Sequence, residues 1–368
     1  MNKEDYMRRA LELAGLGTGH TSPNPMVGCV IVKDGRIISE GYHEKYGEFH
    51  AERNALLRCP EDPAGADLYV TLEPCCHHGK TPPCTDIIIE KKIARVFIGS
   101  TDSNPLVAGK GIRLLREAGI EVETGILEAE CRQLNEVFYH FMETGRPFVV
   151  MKYAMSLDGK IACATGDSKW VTGEAARAHV HELRNRYRGI MVGIGTVLAD
   201  DPMLNCRIAG GVDPIRIVCD SSLRIPNNCQ LVRTAREIPV IVACTQSSYR
   251  SGRKQEKVQK MLDAGVLIIP TSGSHGVNLK ELMTELAGKN IDSILLEGGG
   301  TLNSSALDEQ IVSKVYAYIS PKLIGGRDAP TPVSGMGADH MADAVHLRDM
   351  KIRSIGEDIC ISGYPVYQ

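Results

Sequence analysis

The chain has 368 residues, 43% hydrophobic and 24% charged, with a formal net charge of −3 from 42 basic and 45 acidic side chains. At roughly 150 residues per domain this length gives two or three globular domains, and the composition excludes a disordered chain, a fibre and a collagen-like repeat. Apolar runs such as Phe148 to Met151 and Ile294 to Leu296 fall far short of the ~18 residues of a membrane helix, and the small charge offers no footprint for nucleic acid or anionic lipid. Met1 to Gly15 is predicted as an amphipathic helix with Tyr6, Ala10, Leu13 and Ala14 on one side. Its charges, Lys3, Glu4, Asp5, Arg8, Arg9 and Glu12, leave no apolar core of secretory length, so it does not read as a signal peptide.

Val27 to Val32, the pair Asp34-Gly35 and Ile37-Ile38 form a hairpin pattern around a type I′-prone turn. Strands follow at Leu68 to Leu72 and Arg95 to Gly99, with helices over 51–58, 84–92 and 111–118. This alternation predicts a compact α/β layer structure for residues 1–145. Gly145-Arg146-Pro147 then punctuates the chain, and a second domain is expected over 146–368. Its strands are predicted at Phe148–Met151, Ile190–Val192, Ile215–Cys219, Val240–Cys244, Val266–Ile269, Ile291–Leu296, Val315–Ser320 and Ile359–Ile361. Helices over 174–188, 255–263 and 279–288 lie between them, which fits one α/β domain with a largely parallel sheet. There is no internal repeat and no low-complexity segment.

Twelve cysteines are well below the ~8–10% of a disulfide scaffold. They point to free thiols in a reducing cytoplasm, most of them small buried hydrophobes. Two short motifs single some out. His50-Ala51-Glu52 is followed by Pro74-Cys75, with Cys84 further on. His-x-Glu followed by Pro-Cys-x-x-Cys marks zinc deaminases. One imidazole and two thiolates make a three-ligand site whose fourth position is open to water, as in catalytic rather than structural zinc. Such a site lowers the pKa of bound water towards ~7. Glu52, two residues from the histidine, can move the protons of a hydrolysis without ligating the metal.

The short pattern wants its second cysteine at position 78, which here is His78, so Cys76, His77 and His78 all rival Cys84. Cys84 is favoured because Pro82-Pro83 before it can start a helix whose positive end stabilises a thiolate. The expected ligands are therefore His50, Cys75 and Cys84, for one zinc ion per chain.

The run Leu72-Glu73-Pro74-Cys75-Cys76-His77-His78-Gly79-Lys80-Thr81-Pro82-Pro83-Cys84 resembles the long cysteine loop of the bifunctional riboflavin-biosynthesis deaminase/reductase family. So do Pro23-Asn24-Pro25-Met26-Val27-Gly28, Gly41-Tyr42-His43, Asp102-Ser103-Asn104-Pro105 and Ala108-Gly109-Lys110-Gly111. That family separates its zinc cysteines by the same eight residues found here between Cys75 and Cys84. The resemblance covers essentially the whole chain. It implies a cytidine-deaminase-like three-layer α/β/α first domain that removes an amino group from a diaminopyrimidinone carrying a ribose 5-phosphate. By position, Asn24, His43, Lys80, Asp102 and Asn104 would line its substrate pocket.

In the second half, Ile190 to Thr196 runs from an apolar strand into a glycine turn, but Leu198 stands where a Rossmann fingerprint needs its third glycine. Ile291 to Leu296 leads into Glu297-Gly298-Gly299-Gly300-Thr301 and a predicted helix start that would offer free N–H groups to a phosphate. Lys152 to Lys160, Ser168 to Thr172, His181 to Arg184 and Thr196 to Leu204 are similar to the same family's reductase half, which resembles dihydrofolate reductase in fold. The implied reaction is hydride transfer from NADPH to the sugar C1′, opening ribose to ribityl. Ala154, Trp170, Thr196, Asp200, Ser221 and the run Gly299, Gly300, Thr301, Leu302, Asn303, Ser304 and Ser305 would meet NADPH. Ser168, Arg184, Leu204, Arg207 and Glu297 would meet substrate, the two arginines as phosphate clamps. No residue of this half declares itself a proton donor.

The resemblance also implies self-association, as a dimer or tetramer, through the reductase half. Two other readings remain at this level. One is a zinc deaminase of a free nucleotide or tRNA base fused to a nucleotide-binding domain, which the near-neutral charge and 5% aromatic content disfavour for RNA. The other is a structural zinc module with a nucleotide-sensing domain. It requires a fourth ligand from Cys76, His77 or His78 and leaves Glu52 without a task.

Overall fold

A computed structural model describes residues 1–104, 107–274 and 276–367. Pro105, part of the motif that starts at Asp102, lies outside the described residues. The chain forms two compact units, Met1–Gly145 and Arg146–Gln368. No helix among the described residues is long and apolar enough to cross a membrane.

The first unit begins with α1 (Lys3–Gly15), whose start is closed by a reciprocal capping box between Asn2 and Asp5. Strands β1 (Gly28–Lys33) and β2 (Arg36–Tyr42) form the hairpin, with Asp34 and Gly35 both in the left-handed region that a type I′ turn demands. Next come α2 (Ala51–Leu57), β3 (Asp67–Leu72), α3 (Cys84–Glu90), β4 (Arg95–Ser100) and α4 (Lys110–Glu117). The unit closes with β5 (Glu121–Thr124), α5 (Glu128–Leu134) and α6 (Glu136–Thr144). The sheet order is β2-β1-β3-β4-β5.

Helix α1 covers one face, packing Tyr6, Met7, Ala10 and Leu13 on Val30, Tyr69 and Phe97. It lies so close that a Cβ at Gly28 would fall 1.9 Å from the Ala10 carbonyl oxygen. Ala51, Ala55, Ile87, Ile88, Leu115 and Phe138 cover the opposite face. The result is three layers, α/β/α. Strands β3 and β4 are parallel, so the residues just beyond both carboxyl ends, Glu73 to Cys75 and Thr101 to Asn104, emerge side by side. That edge is where open α/β sheets bind ligands.

The second unit runs β6 (Phe148–Ser156), α7 (Glu174–Arg186), β7 (Gly189–Gly193), α8 (Ile194–Asp200), β8 (Ile215–Cys219), α9 (Gln230–Arg233) and β9 (Val240–Thr245). It continues with α10 (Gln246–Arg250), α11 (Gln255–Asp263), β10 (Leu267–Thr271), α12 (Leu279–Ala287), β11 (Ser293–Leu296) and α13 (Gly300–Asp308). It ends with β12 (Val312–Ser320), β13 (His346–Ile355) and β14 (Asp358–Val366). Nine strands follow the order β10-β9-β8-β7-β11-β6-β12-β14-β13. The first seven are mutually parallel, and β14 pairs antiparallel with both β12 and β13, so the sheet is largely parallel. Alternate side chains serve separate cores: Ile190 and Val192 pack on one face, Met191 on the other.

The departures from the sequence-based elements have local causes. Strand β6 runs five residues past Met151 because β12 pairs with it to Ser156, although Lys152 ends the apolar run. Strand β13 is exposed at nearly every position and β5 at three of four, so neither has an apolar period to detect. The glycine turn after Val192 is the start of α8, with Gly193 as its cap.

Candidate functional site

The first site lies at the carboxyl edge of β3 and β4. His50 stands at the cap of α2, which places Glu52 in the first turn of that helix. Cys84 is the first residue of α3. Pro83 therefore stands at the cap, one position earlier than the helical proline expected from sequence. The N–H groups of Cys84 and Thr85 donate to the Cys75 carbonyl at 3.0 and 3.2 Å, folding the long loop back on itself.

These contacts bring His50 Nδ1 to 3.4 Å from Cys75 Sγ and 3.6 Å from Cys84 Sγ. A tetrahedral ion with Zn–N near 2.0–2.1 Å and Zn–S near 2.3 Å has N···S edges of about 3.5 Å. The donor set and its spacing fit zinc. Among the described residues this trio is the group that could hold a metal. Cys76, His77 and His78 are outside it, so the fourth ligand that the structural-module reading requires is missing from the trio. The two thiols oppose each other's ionisation: the hydrogen bond from Cys84, against burial, holds Cys75 down, and Cys75 together with burial pushes Cys84 up. A divalent cation relieves that conflict by stabilising both thiolates.

Glu52 is only 3% exposed, and its Oε2 has no hydrogen-bond partner among the described residues. Burial, reinforced by the charge of Cys75, pushes its carboxyl up to about 7. It lines a pocket of about 220 Å³ that also holds Asn24, His43, Lys80, Asp102 and Asn104. All five sequence-derived pocket residues are thus brought together around His50, Glu52 and Cys75.

The pocket walls are built by hydrogen bonds. His43 Nδ1 is 3.1 Å from the Phe49 carbonyl oxygen, so that nitrogen carries the proton. Its Nε2 then accepts from the Asn24 amide at 3.3 Å. Burial pushes the His43 pKa down, keeping the ring neutral. Lys80 Nζ sits 3.9 Å from the Tyr46 ring centroid. Burial raises the Asp102 carboxyl to about 6, although the Asn104 N–H donates to it at 2.7 Å.

Two residues with no role assigned from sequence support this arrangement. Buried Glu73 accepts backbone N–H bonds from Asp102, Gly109 and Ile112 at 3.0–3.3 Å. Buried Asn135 exchanges two 2.8 Å bonds with Met26 and so holds the Asn24 segment. Glu73 could have been noticed, since an acid directly before Pro74-Cys75 is unusual in an apolar setting. Asn135 gives no such signal.

The second unit carries an open cavity of about 790 Å³ along the carboxyl edge of β8, β7 and β11. Ser168, Thr196, Asp200 and Ser221 line it, together with Gly299, Gly300, Thr301, Leu302 and Ser305. Helix α13 starts at Gly300, so its first N–H groups have no helical partner. None of Gly298, Gly299 and Gly300 has left-handed backbone. A Cβ at Gly298 or Gly300 would meet Asn303 Oδ1 or the Thr331 oxygen at 2.7 Å, whereas one at Gly299 would meet open space. The turn is a bare backbone cradle facing the cavity, and it fits the phosphates of a dinucleotide.

Four expected cofactor residues are not on that wall. Asn303 is fully buried and donates to the Gly298 and Pro332 carbonyls, bracing the cradle from behind. Ser304 Oγ faces Asp308 at 3.4 Å. Ala154 lies half-buried on β6. Trp170 is 62% exposed, with the Arg177 guanidinium 4.5 Å from its ring centroid.

Of the expected substrate residues, Arg184 and Glu297 meet directly. Arg184 also donates to the Asn205 carbonyl at 3.2 Å, beside buried Leu204. Lys152 Nζ, given no role from sequence, lies 3.6 Å from Glu297 Oε2. Burial alone would raise Glu297, but Arg184 and Lys152 outweigh it and hold the carboxyl at about 2. Arg207 is exposed, and with Arg184 it helps depress the already desolvated His181.

Comparison with known proteins matches both units. Residues 147–361 match the RibD C-terminal domain, and residues 1–100 the cytidine and deoxycytidylate deaminase zinc-binding region. The chain is 53% identical over 362 residues to riboflavin biosynthesis protein RibD of Actinobacillus pleuropneumoniae, covering 98% of this chain and 95% of that one. Against the Bacillus amyloliquefaciens protein of the same name, identity is 43% over 364 residues, with 99% and 96% covered. Two solved structures each align over 99% of this chain and 98% of their own. One is a diaminohydroxyphosphoribosylaminopyrimidine deaminase/5-amino-6-(5-phosphoribosylamino)uracil reductase of Thermotoga maritima, at 38% identity and TM-score 0.86. The other is Acinetobacter baumannii RibD, at 37% identity and TM-score 0.88.

Proposed function

The chain belongs to the RibD family of riboflavin-biosynthesis proteins, and we propose how its two units divide that family's work between named residues. It is a bifunctional enzyme, a zinc-dependent deaminase and an NADPH-dependent reductase. The first reaction is hydrolytic deamination of 2,5-diamino-6-ribosylamino-4(3H)-pyrimidinone 5′-phosphate. The second reduces the ribosyl chain to ribityl and gives 5-amino-6-ribitylamino-uracil 5′-phosphate. Relatives match across both units, which favours this over a nucleotide or tRNA deaminase with an unrelated partner domain.

We assign deamination to residues 1–145. His50, Cys75 and Cys84 hold the zinc, which when bound acidifies water towards neutrality. Glu52 takes a proton from the attacking water and passes it to the ring nitrogen. It then transfers the second proton to the departing amine, which leaves as ammonia. The hydrogen-bonded pair Asn24 and His43 orients the ring, and Asp102, Asn104 and Lys80 grip the polar edge and the phosphorylated sugar. The observation that carries this reading is the orphaned Glu52 Oε2 on a pocket wall shared with a three-member ligand set. Glu52→Gln is expected to keep zinc, by metal analysis, while ammonia release from the diaminopyrimidine falls below detection. Normal turnover would overturn the assignment.

Reduction belongs to residues 146–368, where NADPH supplies the hydride. The bare cradle at Gly299 to Leu302 would hold its phosphates on the α13 N–H groups, helped by Thr196, Asp200, Ser221 and Ser305. Asn303 and Ser304 would act from behind the cradle, and Ala154 on β6 and exposed Trp170 would meet the cofactor away from that wall. Glu297, kept ionised by Arg184 and Lys152, accepts hydrogen bonds from the substrate. Ser168 and Leu204 complete its pocket. Because Glu297 occupies the Arg184 fork, exposed Arg207 is the cation left to meet the sugar phosphate.

Self-association is proposed through this second unit, as a dimer or tetramer. Edge strand β13 exposes Met350 by 60% and Ile352 by 67%, an apolar strip that a second copy would cover. Among the described residues no disulfide joins any of the twelve cysteines, in keeping with a reducing cytoplasm.

A further inference from the structure

We propose that Arg224 reads the adenosine 2′-phosphate and so selects NADPH over NADH. This rests on the reading of the second unit's cavity as the dinucleotide site. Among the described residues lining that cavity, Arg224 is the only cation and Asp200 the only acid. Arg224 is exposed, and its guanidinium has no hydrogen-bond or ion-pair partner among the described residues. Arg177 stacks on Trp170, Arg184 is held by Glu297, and Arg207 lies off this wall.

The backbone delivers the side chain deliberately. Arg224 sits between Leu223 and Ile225, which are 2% and 0% exposed and pack into the core beneath β8. With both neighbours pointing inward, Arg224 faces out into the cavity. The turn is pinned at both ends by Asp220: its carbonyl accepts from the Leu223 N–H at 3.1 Å, and its Oδ2 from the Ile225 N–H at 2.8 Å. Leu223 takes left-handed backbone to close the turn. Lys254 Nζ donates to the Ser222 carbonyl, and the Thr245 hydroxyl to that of Ser221 at 3.0 Å. A fixed turn therefore presents one hydroxyl, Ser221, and one free guanidinium three residues later.

Sheet order fixes which end of the cofactor meets this turn. Along the carboxyl edge the strands run β8, β7, β11, β6. Glu297 and Lys152 mark the reacting end, at β11 and β6, and the phosphate cradle follows β11. The turn at 220–225 follows β8, two strand spacings or about 10 Å away on the other side of the cradle. An extended dinucleotide with its nicotinamide at the reacting end places its adenosine ribose there. A guanidinium forks onto a phosphate but gains little from the 2′-hydroxyl of NADH.

The test is equilibrium titration of the full chain with NADPH, NADH, adenosine 2′,5′-bisphosphate and 5′-ADP, without substrate. Arg224→Gln is expected to weaken NADPH and the 2′,5′-bisphosphate by about 10- to 100-fold, the usual range for a lost charge-assisted hydrogen bond. NADH and 5′-ADP should be unchanged, and Arg224→Lys should recover part of the loss. Unaltered NADPH binding by Arg224→Gln, or equal weakening of NADH, would overturn the proposal and leave the cofactor site intact. If the unmodified chain bound neither dinucleotide, the cofactor reading itself would fail, and this inference with it.

Discussion

The Arg184 guanidinium forks onto the Glu297 carboxylate, Nε to Oε1 at 2.8 Å and Nη2 to Oε2 at 3.2 Å. Their side chains are only 15% and 13% exposed. Lys152 reaches the same carboxylate. A buried charge pair of this kind is costly to break from one side, because the remaining charge has no water to replace its partner.

Glu297→Gln should therefore destabilise the second unit by about 3–5 kcal/mol in denaturant unfolding. The double variant Arg184→Met/Glu297→Gln should lose less than the sum of its two single changes, since neither charge is then stranded on the other. Strict additivity would show that the fork contributes nothing as a pair.

The same pair sets a pH dependence. Glu297 is held at about 2 in the folded chain, below the ~4.3 of an unfolded glutamate. Its stabilising contribution is present above the unfolded value and is lost as pH falls through the folded one. The stability difference between the unmodified chain and Glu297→Gln should be flat from pH 7 to 5 and should shrink between about pH 4 and 2. A difference that vanished already near pH 6 would contradict the depressed carboxyl.

Zinc content offers a direct reading of the ligand set. Cys84→Ser should lose the metal, whereas Cys76→Ser should retain close to one ion per chain by atomic absorption. The reverse result would mean that the long loop closes on the ion through Cys76, contrary to the geometry around His50 Nδ1.

The first site was largely legible in the sequence because its chemistry sits in short motifs. His50 and Glu52 are two residues apart, and one helix start positions both. Cys84 was harder: its nine-residue distance from Cys75 departs from the short motif, and only the folded loop brings the sulfur back. The second site was less legible because its contacts are remote. Arg184 could be named as a binding residue, but its partner lies 113 positions away, and nothing local announces the fork that changes its task. Lys152 looked like the end of an apolar run, and it is instead a cation on a strand that continues. Asn303 belonged to the expected cofactor run, yet helix periodicity turns it inward while Leu302 and Ser305 face the cavity. Strand β13 was invisible because an exposed edge strand has no buried face to pattern.

One chain performs two chemically distinct steps in order, deamination and then reduction. That order is tested most directly by supplying the diaminopyrimidine ribosyl phosphate with and without NADPH and identifying products by mass. Without NADPH, a single product should accumulate in which one amino group has been replaced by oxygen. With NADPH, that product should be converted to one heavier by two hydrogens. Reduction of the diamino substrate with no ammonia released, or no mass change under either condition, would contradict the account.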